Sequence, residues 1–160
     1  TALNFACGDA PGRAQLYDYP GGGSRKASLH KEAFEKLRGV SSVAWDIEVT
    51  TVDRVVEEHG LKRIDLLKID TEGNELKVLL GAERVIKQGL IDIIQFEFTE
   101  INVASRTFVA DICALLPAYT FYRLLPDGLA PLDSQQPFLR EIFAYQNIAA
   151  IRKDSKRRRI

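Results

Sequence analysis

The chain has 160 residues, of which 46% are hydrophobic and 28% are charged, a composition typical of one soluble globular domain with its own core. Its 22 basic and 22 acidic residues cancel, so no overall field attracts nucleic acid or an anionic membrane. No apolar run approaches the roughly 18 residues that a membrane span requires. We therefore expect a cytoplasmic protein whose partner is a small or neutral molecule, and we leave a homo-oligomer open.

The cysteines and histidines give little support to a metal site or a disulfide framework. Cys7 and Cys113 lie far apart, and neither has a second cysteine nearby. His30 and His59 are equally isolated in the sequence. We predict two buried thiols and no bound metal, and we keep His30 as a candidate base or substrate-binding residue.

Short strands and loops are predicted for the first third of the chain. "ALNFAC" and "RAQLYDY" are predicted strands on either side of the turn "GDAPG". Residues 20–42 contain the flexible "PGGGS" and at most a weak helix or ordered loop in "LHKEAFEKL", which predicts a long surface excursion. "VAWDIEVTTV" is the next strand, and Thr50 with Asp53 resembles a capping box for the helix "VDRVVEEH", which Gly60 ends.

The rest of the chain carries stronger patterns. "IDLLKI" is a predicted strand, "GNELKVLLGAERVIKQG" a helix and "IDIIQFEF" a second strand, which together predict a right-handed βαβ unit with parallel strands. A helix in "TFVADICALLP" follows, and "YTFYRLL" and "NIAAIR" predict an antiparallel pair at the end of the sheet. The predicted fold class is therefore α/β, with an open, mostly parallel, doubly wound sheet.

Three acids follow the strand "IDLLKI" within six positions. Ligands of open α/β sheets bind outside the carboxyl ends of the strands, and Asp70 lies at such an end. Glu72 and Glu75 fall near the start of the following helix, where negative charge is favourable. We predict that Glu75 caps this helix, and we leave Glu72 between a capping role and a role in the site.

Glu97 is predicted to lie on the strand beside Asp70. In "IIQFEF" the alternation places Ile94, Phe96 and Phe98 on one face of the sheet and Glu97 on the other. Two carboxylates at neighbouring strand ends can take up a proton, hold a hydroxyl or share a divalent cation. A buried ion pair with a nearby base is the alternative role for Glu97, the candidates being Lys68 and Arg123.

The segment "IDLLKIDTEGNELKVLLGAERVI" followed by "DIIQFEF" resembles the signature of the FkbM family of S-adenosylmethionine-dependent methyltransferases. "ACGDAPGRAQLY", "VTTVDRVVEEHGLKRID", "FEFTEINVASRTF", "FYRLLPDGLAPL" and "EIFAYQNIAAIR" resemble further parts of that family. The resemblance covers nearly all of residues 2–152, and its most specific part is residues 64–82. It implies S-adenosylmethionine as the cofactor and transfer of a methyl group to a hydroxyl of a sugar or a natural product.

Carried onto this sequence, the resemblance makes "IDLLKID" the fourth strand and "DIIQFEF" the fifth strand of a Rossmann-like class I methyltransferase sheet. It implies that Asp70 is the catalytic base or orients the acceptor. The residues expected to support Asp70 in catalysis or to bind the substrate are Glu72, Glu97, Lys68, Asn102 and His30.

The family's glycine-rich turn after the first strand and the acidic residue after the second have no counterpart in this sequence. The resemblance therefore implies that the first two strands are missing and that residues 1–152 form a single, N-terminally incomplete methyltransferase domain, followed by the basic tail 153–160. The segment that could reach the cofactor's adenine is then Ala6, Cys7, Gly8 and Asp9.

Two other functions fit an aspartate at a strand end. One is a Mg²⁺-dependent phosphoacceptor domain that uses Asp70, which would need further acids after its first strand. The other is an α/β domain that binds a ligand or a protein without catalysis. Binding of S-adenosylmethionine would favour the methyltransferase, whereas Mg²⁺-dependent acyl-phosphate labelling of Asp70 would favour the phosphoacceptor.

Overall fold

A computed structural model describes residues 1–132 and 136–155 of the chain. Its first sheet has three strands in the order β1, β3, β2, with β1 parallel and β2 antiparallel to β3. The strands are β1 (Ala6–Cys7), β2 (Gly12–Asp18) and β3 (Val43–Thr50). The three strands predicted in this part of the sequence are therefore confirmed.

A second sheet has five strands in the order β4, β5, β8, β6, β7. The strands are β4 (Ile64–Ile69), β5 (Ile91–Phe98), β6 (Tyr119–Leu125), β7 (Gly128–Pro131) and β8 (Gln146–Arg152). β4 and β5 are parallel, as predicted, and the other pairs in this sheet are antiparallel. The α/β class and the antiparallel pair at the end of the sheet, β6 with β8, are confirmed. The single, mostly parallel sheet is wrong, because three of the four strand pairs in the second sheet are antiparallel and the first three strands form a sheet of their own.

Five short α-helices connect these strands within the described residues: α1 (Val52–Glu58), α2 (Glu75–Leu80), α3 (Glu83–Lys87), α4 (Ile101–Ser105) and α5 (Val109–Leu115). The helix predicted after β4 is divided into α2 and α3 at Gly81. The α1 cap lies one residue later than predicted, because Thr51 accepts the bond from the Arg54 N–H at 3.1 Å. Asp53 instead accepts the N–H groups of Arg84 and Val85 at the start of α3.

The main core lies between the five-stranded sheet and the helices. The alternation in β5 is confirmed: Ile94, Phe96 and Phe98 are fully buried, whereas Gln95 and Glu97 on the opposite face are half-buried. The other fully buried side chains of this core include Leu79, Val85, Ile112, Leu116 and Ile148. This packing fixes β4 and β5 side by side, so that their carboxyl ends meet at one edge.

Residues 20–42 are not a surface excursion throughout. A short π-helical segment, Ala33–Arg38, buries Phe34 completely against Ile101 of α4. The Phe34 ring also meets the Tyr19 ring edge to face, with centroids 5.2 Å apart. An aromatic side chain removed from water in this way stabilises the segment's position by a few kcal/mol, about 1.5–3 for a fully buried ring. The segment is therefore held over the loop that follows β4.

No helix in the described part of the chain is long and apolar enough to cross a membrane. Of the predicted basic tail, Lys153 donates its backbone N–H to the carbonyl of Ala118 at 2.9 Å, and Ser155 is buried. The remaining tail residues, 156–160, lie outside the described residues.

Candidate functional site

A cleft of about 500 Å³ opens between the end of β1 and the end of β4. Its size is within the range of small-molecule sites, about 300–1,000 Å³. Most of its lining is apolar, and its apolar side chains include Phe5, Leu16, Leu29, Val52, Leu67 and Val78. Its polar side chains are Lys68, Asp70, Thr71 and Asn74. A cleft of similar size, about 470 Å³, lies on the β2–β3 surface, away from the acids that follow β4.

Lys68 and Asp70 form an ion pair on the wall of this cleft. Lys68 Nζ donates to Asp70 Oδ2 at 2.7 Å, and both side chains are exposed, at 49% and 42%. The hydrogen bond to Asp70 raises the pKa of Lys68, so the lysine stays charged. The second oxygen of Asp70 can accept a hydrogen bond from a ligand, because a carboxylate has about four lone-pair sites.

Glu97 lies near this pair and is the end of a hydrogen-bonded series on the open face of the sheet. Gln95 Nε2 donates to Asn147 Oδ1 at 3.0 Å, Asn147 Nδ2 donates to the Tyr145 hydroxyl at 3.0 Å, and that hydroxyl donates to Glu97 Oε1 at 3.2 Å. Burial raises the pKa of Glu97, and the charge of Asp70 adds to the rise. A carboxylate in such surroundings accepts a proton more readily than a free one.

The bases considered as ion-pair partners of Glu97 have other partners. Lys68 pairs with Asp70, and Arg123 Nε donates to Gln146 Oε1 at 2.7 Å. The sequence could not indicate Tyr145 and Asn147 as neighbours of Glu97, because Asn147 reaches it only through the antiparallel register of β5 and β8.

Glu72 faces away from the cleft, toward the segment 33–38. Its Oε2 accepts from Arg38 Nη2 at 3.0 Å, and both side chains are mostly buried. The Arg38 guanidinium also lies over the Phe34 ring, 5.0 Å from its centroid. Burial raises the pKa of Glu72, and the charge of Arg38 opposes the rise. Glu72 thus pairs with Arg38 and does not cap α2.

The backbone of the loop 71–74 is bonded to residues 28–30. Ser28 Oγ donates to the Glu72 carbonyl at 2.6 Å. His30 Nε2 lies 3.1 Å from the Gly73 carbonyl oxygen, and because that oxygen only accepts, Nε2 carries the proton. Burial lowers the pKa of His30. The structure thus places His30, which belongs to the segment 20–42, against the backbone of the loop 71–74.

Glu75 is buried, with 1% exposure, beneath the same loop. Its Oε1 accepts the Thr71 N–H, the Thr71 hydroxyl and the Gly73 N–H at 3.0–3.1 Å. Its Oε2 accepts from Asn102 Nδ2 at 3.3 Å. The prediction that Glu75 caps α2 is wrong, because the N–H groups it accepts precede the helix and α2 has no side-chain cap. Glu75 instead binds the loop that carries Asp70 into the cleft.

Asn102, predicted at the pocket rim, lies under the loop instead, with 1% exposure. Its amide group is used inside the protein, because Oδ1 accepts the Thr99 N–H at 2.8 Å while Nδ2 donates to Glu75. Asn102 therefore contacts Glu75, which binds the loop, and is not part of the cleft lining.

Two of the four predicted cofactor residues, Ala6 and Cys7, line the cleft. Gly8 is buried and donates its N–H to the Thr50 carbonyl at 2.9 Å, and Asp9 is exposed. Burial raises the pKa of the Cys7 thiol, so the thiol stays neutral. Asn74, which sequence reasoning left aside, donates from Nδ2 to the Cys7 carbonyl at 2.8 Å and joins the two sides of the cleft.

Among the described residues, no group of three or more His, Cys, Asp or Glu side chains is placed to hold a metal ion. Asp70 and Glu72 follow the end of β4 and Glu97 lies near the end of β5, but Glu72 turns toward Arg38.

The sequence model of the methyltransferase FkbM domain matches residues 1–122. The chain belongs to the FkbM methyltransferase family. The match confirms the resemblance seen in the sequence, and it includes β4, α2 and β5, which position Asp70 and Glu97. Membership of the FkbM family indicates a methyltransferase. Searches of curated proteins and of solved structures each returned no match.

Proposed function

We propose that this FkbM domain transfers a methyl group from S-adenosylmethionine to a hydroxyl oxygen of a sugar or another natural product. The observation that carries the proposal is the position of Asp70, an exposed carboxylate at the end of a parallel strand, on the wall of a mostly apolar cleft. The family match supports methyl transfer, and the cleft supports a small-molecule site.

The lining of the cleft supports a cofactor site. Apolar side chains, including Val52 and Val78, suit its ring system, and the Asn74 side-chain oxygen is buried without a partner among the described residues. The residues proposed to hold the cofactor are Ala6, Cys7 and Asn74. When bound, S-adenosylmethionine supplies a methyl group on a positively charged sulfur.

Asp70 would act on the acceptor. A hydroxyl that donates to the free oxygen of Asp70 has its own oxygen fixed and made more nucleophilic, because the carboxylate takes up the proton as the oxygen–carbon bond forms and the sulfur–carbon bond breaks. Lys68 fixes the rotamer of Asp70 through their hydrogen bond at 2.7 Å. Glu97 lies close enough to raise the local negative potential, and its charge also raises the pKa of Lys68.

The test measures cofactor binding and turnover separately. Calorimetry with S-adenosylmethionine is expected to give binding to wild type and to Asp70→Asn alike. Release of S-adenosylhomocysteine in the presence of a panel of hydroxylated sugars and polyketides is expected to fall at least about a hundredfold in Asp70→Asn, the scale for losing a general base.

Asp65→Asn is the matched control, because Asp65 is an acid on β4, the strand that Asp70 follows, and its Oδ1 lies 3.3 Å from Arg63 Nη2, outside the cleft. It is expected to keep wild-type turnover. Unchanged turnover in Asp70→Asn would remove Asp70 from the reaction. Cofactor binding with no turnover on any acceptor would favour a binding domain instead.

A further inference from the structure

The Asn74 amide has a fixed orientation in the cleft. Its Nδ2 donates to the Cys7 carbonyl at 2.8 Å, and a carbonyl can only accept, so the amide cannot be flipped. The other end of the amide, Oδ1, is buried and has no hydrogen-bond partner among the described residues. Asn74 as a whole is 2% exposed.

The other polar groups of the cleft have partners within the protein. Lys68 and Asp70 bind each other, and the Thr71 hydroxyl donates to Glu75. Of the polar side chains in the described lining, Asn74 is thus the one with a buried and unused acceptor. Most buried polar atoms in proteins are hydrogen-bonded, and an unpaired one is costly. This acceptor therefore points to a ligand that brings a donor.

The surroundings indicate what kind of donor it is. Asn74 lies beside Cys7 and shares the cleft with Val52, Val78 and Phe5, which are apolar and suit a flat ring. An amino group on a flat ring in this space is a donor that matches the amide oxygen. A carbonyl at the same ring position would place one oxygen against another.

We propose that Asn74 is a specificity-determining residue, whose Oδ1 accepts a hydrogen bond from the 6-amino group of the cofactor's adenine. This rests on the proposed function, since it assumes that the nucleoside of S-adenosylmethionine enters this cleft. Asn74 then selects an aminopurine over an oxopurine, while its Nδ2 keeps the end of β1 in place.

The test compares two ligands that differ at this ring position, S-adenosylhomocysteine and S-inosylhomocysteine, by calorimetry on the full chain. Wild type is expected to bind the adenosyl compound at least about tenfold more tightly, because the 6-oxo ring leaves the buried acceptor unpaired. Asn74→Leu is expected to weaken binding of the adenosyl compound and to lose the preference. Asn74→Asp retains an oxygen for the ligand but places its second oxygen against the Cys7 carbonyl, so it is expected to bind both compounds more weakly and to keep the preference.

The ratio of the two affinities separates recognition from structural damage, because a distorted cleft weakens both ligands together. Equal affinities in wild type would overturn the inference even if Asn74→Leu did not fold, and so would a preference that survives in a folded Asn74→Leu. If wild type binds neither compound, the proposed function fails and the inference fails with it. Binding of the adenosyl compound without a preference removes the inference alone.

Discussion

Replacing Glu75 by glutamine tests how the loop after β4 is held. All four groups that bind the Glu75 carboxylate are donors, which only an acceptor can satisfy. In Glu75→Gln the amide oxygen can still serve Thr71 and Gly73, but its NH₂ group then faces the NH₂ of Asn102. Asn102 cannot flip, because its oxygen accepts the Thr99 N–H.

The expected loss is that of one charge-assisted hydrogen bond, about 1.5–3 kcal/mol in the free energy of unfolding. Asn102→Asp alone places two carboxylates together beneath the loop and is expected to cost about 3 kcal/mol or more. In the double variant the new glutamine amide at position 75 donates to the new carboxylate at position 102, whose other oxygen still accepts the Thr99 N–H. The double variant should therefore be more stable than the two single losses predict, by at least about 1 kcal/mol.

Urea denaturation followed by circular dichroism measures all three variants. Glu83→Gln is the control, because Glu83 is also in the first turn of a helix but is exposed and pairs with Lys87 at 2.7 Å. It should change stability by less than about 0.5 kcal/mol. If the losses in free energy of the two single variants simply add in the double variant, the contact between Glu75 and Asn102 does not hold the loop in place.

Three further outcomes follow from the contacts around the site. Burial lowers the pKa of His30 from its usual value of 6.5. As the pH drops below that value, the unfolded chain takes up the proton before the folded protein does, so the free energy of unfolding falls. For His30→Gln this free energy should depend less on pH between about pH 7.5 and 5.5, and parallel curves for the variant and wild type would contradict this reasoning. A Cβ on Gly81 would overlap the carbonyl oxygen of Gly8. Gly81→Ala should therefore destabilise the protein by about 3 kcal/mol or more, measured by thermal unfolding. A variant with the wild-type melting temperature would disprove the close approach of Gly81 to Gly8. Phe34→Ala should cost about 3–5 kcal/mol, whereas Leu37→Ala, at a residue with 41% exposure, should change little; similar costs for the two would show that the segment 33–38 is not packed.

The sequence was sufficient for the elements that carry the candidate base. Alternation in β5 and the apolar run of β4 are local patterns, and each was confirmed as a strand, with the burial of β5 as predicted. Asp70 follows β4 directly, so its place at the edge of the sheet depends on one strand and its parallel neighbour alone. The family resemblance also depends mainly on this segment.

The contacts that complete the site are made between residues far apart in the sequence. The bond from Asn74 to Cys7 joins residues 67 positions apart, and that from Ser28 to Glu72 joins residues 44 apart. Hydrophobic periodicity gives no information about such pairs. Phe34 was missed for a related reason: its segment is short and polar on either side, and tertiary contacts with Ile101 and Tyr19 make it part of the core.

The mostly parallel sheet was wrong because the last strand can pair on either side of β6. A prediction from local patterns gives the direction of β8 relative to β6 but not its insertion beside β5. The insertion brings Asn147 next to Glu97 and so adds Tyr145 to the surroundings of the candidate base.

A crystal structure of the protein with S-adenosylhomocysteine tests the central claim most directly. We expect electron density for the ligand in the cleft between Ala6–Cys7 and Leu67–Thr71, with its purine ring beside Asn74 and its sulfur toward Asp70. Density for the ligand at any other place on the protein, or a cleft without ligand at saturating concentration, would contradict the account.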